Sequence, residues 1–144
     1  MNDRDDFLYR AAVETLESLC SMVPVLDSPR AAAPREAAVG VAFEGPRRGR
    51  LDLAFHGKAA TDVAARLTGE APESPDGQDA LAEVANVICG NVLPALFGSE
   101  SLFRMGRADP APDRERAGSG PLAFARVPFP SGLVELRVWV EEEH

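Results

Sequence analysis

Apolar residues recur at helical spacing along residues 5–23, at Phe7, Leu8, Ala11, Ala12, Leu16, Leu19, Met22 and Val23. Pro24 is expected to end that amphipathic helix. Residues 27–37 carry two prolines and no period, and read as a connector. The pattern then turns to alternation. Val39, Val41 and Phe43 mark a strand over 38–43, and Leu51, Leu53 and Phe55 mark another over 50–55. The turn-forming string Gly45-Pro-Arg-Arg-Gly49 between them predicts a hairpin. Lys58 to Thr68 reads as a short helix, with Val63 and Leu67 inward and Gly69 as its C-cap.

Residues 70–77 form a loop rich in Pro and acid, with Asp76 the expected N-cap of the next element. That element is the longest stretch with a clear helical period, Asp79 to Leu96, and Pro94 is expected to kink or end it. A short strand is expected around Leu102–Met105, then a Pro/Gly-rich loop over 107–120. Two more alternating runs, 121–129 and 132–140, meet at Pro130-Ser131-Gly132 and predict a second hairpin. On the last strand Val134, Leu136, Val138 and Val140 share one face, and Glu135, Arg137 and Trp139 the other. Helix, hairpin, helix, long helix and hairpin make an α+β fold: an antiparallel sheet with helices packed on one face. The 144 residues suit one domain, 1–144, and show no internal repeat.

Composition narrows the function classes. The chain is 45% hydrophobic and 26% charged, as soluble globular proteins are. A net charge of -8 argues against phosphate backbones and anionic membranes as partners. The charged N-terminus lacks the apolar run of a signal peptide, and no uninterrupted apolar span is present, so a cytoplasmic protein is expected. Cys20 and Cys89 fall inside apolar helices, where Cys serves as a small hydrophobe. His56 and His144 are the only histidines and suggest no metal site. No Gly-rich phosphate loop precedes a helix.

The long helix carries the candidate chemistry. With Glu83 at zero and 100° per residue, Asp79 falls near about -40°, Asn86 near about -60° and Gly90 near about -20°. Leu81, Val84, Ile88 and Val92 fall on the opposite side. The outward stripe is therefore carboxylate, carboxamide and bare backbone. Asn is a weak helix former, and Gly costs roughly 0.5–1 kcal/mol relative to Ala in a helix interior. A stripe selected only for solubility would use Lys, Glu and Ala. A Glu and an Asn three apart are also what an ordinary solvated face can carry. Cys89, off the stripe, and His56, at a strand end, offer no catalytic pairing.

Asp79-xxx-Glu83-xx-Asn86, followed by Ile88, Gly90 and Asn91, resembles the signature helix of the CheX/CheC/FliY phosphatases. Those proteins dephosphorylate response-regulator receiver domains in bacterial chemotaxis. The family pattern has an acidic residue or Ser, then Glu, then Asn, and a Pro some twenty-odd positions on; Pro110 stands 24 positions after Asn86. The element order agrees over nearly the whole chain. Glu14 and Glu17 have no Asn three residues later, so one site is expected, as in the CheX branch, which typically forms homodimers.

The resemblance implies a partner and roles. The partner is a phosphorylated, CheY-like receiver, which brings its own Mg²⁺ and Lys, so the chain needs no cofactor of its own. Asn86 would orient the attacking water and Glu83 would pair with the receiver's Lys. Asp79 and Gly90 would extend the contact. A non-catalytic receiver-binding or dimerisation module would present the same surface. For a dimer, the expected edges are Ala38–Phe43 or Leu133–Val140.

Overall fold

The computed structural model describes residues 2–27, 33–109 and 120–141. In chain order its elements are α1 (Asp3–Cys20), β1 (Arg35–Glu44), β2 (Gly49–Gly57), α2 (Ala59–Thr68), α3 (Pro75–Phe97), β3 (Arg104–Met105), β4 (Ala123–Phe129) and β5 (Gly132–Val140). The strands form one antiparallel sheet in the order β3-β1-β2-β5-β4. Both expected hairpins are present, β1–β2 and β4–β5. The second is inserted beside β2, so β5 pairs along its whole length with the first hairpin.

Alternation decides the layering. Val39, Val41 and Phe43, Leu51, Leu53 and Phe55, Ala125, Val127 and Phe129, and Val134, Leu136 and Val138 are all buried. They form one sheet face, on which the three helices lie and share a core. The α+β fold with helices on one face is thus as expected. α3 is the central helix and packs against α1, α2, β1 and β2. It buries Leu81, Val84, Ile88 and Val92, each worth about 1.5–3 kcal/mol on removal from water. By length and composition α3 alone among the described residues could cross a membrane. In this fold its apolar side is the protein core.

Several boundaries depart from the sequence expectation. α1 stops at Cys20 rather than at Pro24. Ser21 takes the left-handed conformation, φ 54°, with its N–H on Glu17 O, and Met22 folds back to Leu16 O and is buried. The N-cap of α3 is Ser74, not Asp76: its hydroxyl accepts from Gly77 N at 3.0 Å, and Pro75 takes the first helical position, where no N–H is needed. Pro94 does not end α3, which runs to Phe97. Pro94 takes the N–H from Gly90 O, and the turn beyond it is held by packing, with Phe97 against Phe43 and Phe103. β5 is an interior strand and cannot serve as a pairing edge. Pro110, and the loop expected at 107–120 from there to residue 119, lie outside the described residues.

Candidate functional site

α3 presents the stripe as its periodicity requires. Asp79, Glu83 and Gly90 are exposed and Asn86 is half-buried, while Leu81, Val84, Ala85 and Ile88 face the core. Neither Glu83 nor Asn86 has a side-chain hydrogen bond or ion pair to another described residue. A carboxylate and a carboxamide one turn apart are therefore free to meet a partner. One turn further on, Pro94 supplies no N–H to Gly90 O, so this carbonyl lacks its usual helical donor. Asn91, beside the stripe, donates to Thr15 Oγ1 at 3.4 Å and ties α3 to α1. Thr15 is itself a buried polar residue.

Sequence reasoning missed the wall beside the stripe. After β3 the chain runs along the outer edge of β1. Gly106 N donates to Ala42 O at 2.8 Å, and Asp109 exchanges two hydrogen bonds with Gly40, at 2.8 and 3.0 Å. Arg50 reaches across to Asp109 as well as to Asp52, over the place where a β-carbon on Gly40 would stand. Met105 lies against Gly90. Ala108 and Asp109 join Asp79, Ala82, Glu36 and Ala38 around a cavity of about 360 Å³. The signal available in sequence was Gly40, a bare position in an otherwise alternating strand, which marks a close approach.

Two other chemistries find no support in the geometry. Burial pushes the Cys89 thiol up to about 12 and the Cys20 thiol up to about 11, far from the range of a reactive thiolate. Among the described residues no three His, Cys, Asp or Glu side chains group as metal ligands. His56 pairs with Glu135 at 2.7 Å on the opposite face of the sheet, away from α3.

The family described as chemotaxis phosphatase CheX matches residues 37–106, which include most of β1 and all of β2, α2, α3 and β3. No curated protein matches the chain in sequence. The fold is similar to that of CheX from Desulfovibrio desulfuricans, with TM-score 0.76 and 16% identity over 97% of this chain and 100% of that one. It is similar to CheX from Vibrio vulnificus, with TM-score 0.68 and 20% identity over 98% and 100%. It is also similar to the Borrelia burgdorferi structure of a CheX–CheY complex with beryllofluoride and Mg²⁺, with TM-score 0.66 and 20% identity over 97% and 99%. Residues 37–106 thus match the CheX family model, and the chain as a whole has the fold of CheX and CheC-like proteins.

Proposed function

We propose that this protein hydrolyses the phosphoaspartate of a CheY-like receiver domain, with α3 as the element that enters the receiver's site. The observation that carries the proposal is the free pair Glu83 and Asn86 on the exposed side of α3. The match of residues 37–106 to the CheX family model and the likeness of the fold to the CheX of the Borrelia CheX–CheY complex support the choice of partner.

The chemistry follows from what a receiver lacks. Water must attack phosphorus in line; the new O–P bond forms as the acyl O–P bond breaks, and the electron pair leaves on the aspartate carboxylate. Positioning and charge neutralisation supply most of such a reaction's acceleration. The receiver's Mg²⁺ and Lys would neutralise the phosphoryl oxygens. An amide both donates and accepts and carries no charge to repel phosphate. Asn86 therefore orients the water, as a Gln does in GTPases. Glu83 pairs with the receiver's Lys and fixes the helix in place. Its negative charge cannot sit unpaired against phosphate. Asp79 and Gly90 extend the contact along the same stripe.

The test is phosphate loss from a phosphorylated receiver. Asn86→Ala should slow turnover roughly a hundredfold or more while binding survives. Glu83→Ala should weaken binding as well as turnover. Saturable binding without acceleration by the wild type would favour the receiver-binding module instead. A homodimer that paired through β1 would use the stretch around Glu36–Ala38, since β3 and Asp109 pair with β1 further along; β4 is the other edge of the sheet. Sedimentation of the purified chain tests that arrangement.

A further inference from the structure

The wall beside α3 contains a β-bulge that falls next to the free pair. Phe43 stands opposite Met105, and Gly40 opposite Asp109. Between those points two residues of β1, Val41 and Ala42, face three, Gly106, Arg107 and Ala108. Bulges of this kind re-aim a side chain and are common beside active sites. Here the central residue of the bulged stretch is Arg107, which is exposed.

Its level along α3 follows from the anchors on either side. The Met105 methyl lies 3.8 Å from where a β-carbon on Gly90 would stand. Ala108 and Asp109 share a cavity with Asp79 and Ala82. The segment therefore runs antiparallel to α3. From Asp79 to Gly90 a helix rises about 16 Å, and from Met105 to Asp109 an extended chain covers about 13 Å. The two match in length, so the backbone of Arg107, midway, lies beside the turn holding Glu83 and Asn86.

Charge makes this placement consequential. The chain is acidic, at -8, and among the described residues most arginines are paired internally: Arg10 with Asp6, Arg48 and Arg104 with Glu44, Arg50 with Asp52 and Asp109, Arg66 with Asp62, Arg126 and Arg137 with Glu135. Arg107 pairs with no carboxylate among the described residues. The stripe beside it carries Asp79 and Glu83, both anionic. A phosphoaspartate partner is anionic too; its own Mg²⁺ and Lys offset part of that charge, and a cation on this chain would favour its approach to the acidic stripe.

Resting on the function proposed above, we infer that Arg107 is a binding residue for the anionic phosphorylation site of the receiver. It offsets the stripe's own carboxylates and steers the phosphorylated form onto α3. The bulge holds it there. Two backbone bonds at Gly40 and the Arg50–Asp109 pair fix the far side of the bulge.

The experiment measures binding of a beryllofluoride-activated receiver, and separately its dephosphorylation, for the wild type and for Arg107→Ala, Arg107→Lys and Arg107→Glu. Arg107→Ala should weaken binding about tenfold, which is about 1.4 kcal/mol, and Arg107→Glu should weaken it further. Arg107→Lys should restore most of the affinity. The turnover rate at saturating receiver should stay within about twofold of wild type. Wild-type affinity should fall with added salt more steeply than that of Arg107→Ala. Wild-type-like affinity and salt slope in both Arg107→Ala and Arg107→Glu overturn this inference alone. A wild type that neither binds nor dephosphorylates the receiver overturns the functional proposal and the role of Arg107 with it. Equal melting temperatures exclude misfolding as the cause of any loss.

Discussion

The terminal methyl of Met105 rests 3.8 Å from the point where a β-carbon on Gly90 would stand. That is ordinary van der Waals contact, so Gly90 is not demanded by packing. Gly90→Ala should therefore stabilise the protein by about 0.5–1 kcal/mol through helix propensity. A bulky Gly90→Phe should fold but lose receiver binding, since Gly90 lies on the stripe proposed to dock. Denaturant unfolding and binding measured side by side separate the two effects.

Gly77, on the same helix, should behave in the opposite way. A β-carbon there would collide with the backbone carbonyl of Ala71 and with Pro72. Backbone cannot swing aside as a side-chain tip does. Gly77→Ala should destabilise by about 1–3 kcal/mol, read as a lower urea midpoint at unchanged slope.

Ser74 caps α3 through a 3.0 Å bond from Gly77 N. Ser74→Ala should cost about 1 kcal/mol, whereas Asp76→Ala, beyond the cap, should cost less. The reverse ranking by thermal unfolding would restore Asp76 as the cap.

The buried thiols set the alkaline behaviour. Burial pushes the Cys20 thiol up to about 11 and the Cys89 thiol up to about 12 in the folded protein, from an ordinary value of 9.0 when exposed. Between those values the unfolded chain has lost protons that the folded chain keeps. Stability is therefore intact below about pH 9 and falls as pH rises toward 11–12. Cys89→Ala should flatten that fall, apart from any constant packing cost. Unfolding free energies measured from pH 8 to pH 11 check the slope.

Much of the fold was legible because it is local. Alternation at Leu51, Leu53 and Phe55 and at Val134, Leu136 and Val138 marked strands and their buried face. Gly69, at φ 73°, marked the end of α2. What stayed hidden depends on distant pairing. Nothing in residues 132–140 alone says that β5 lies between β2 and β4. The end of α1 at Ser21 turns on burial of Met22, a tertiary effect. The stripe of Asp79, Glu83, Asn86 and Gly90 was legible because helical angles follow from spacing alone. Arg107 was not, because its place beside that stripe depends on a one-residue mismatch between strands far apart in sequence.

The most direct measurement is the rate of inorganic phosphate release from a phosphorylated CheY-like receiver with Mg²⁺, without the protein, with wild type and with Asn86→Ala. The expected result is acceleration by wild type and a loss of roughly a hundredfold or more in Asn86→Ala, which still binds the receiver. Equal rates for wild type and Asn86→Ala, both well above the receiver alone, would contradict the assignment of the water-orienting carboxamide.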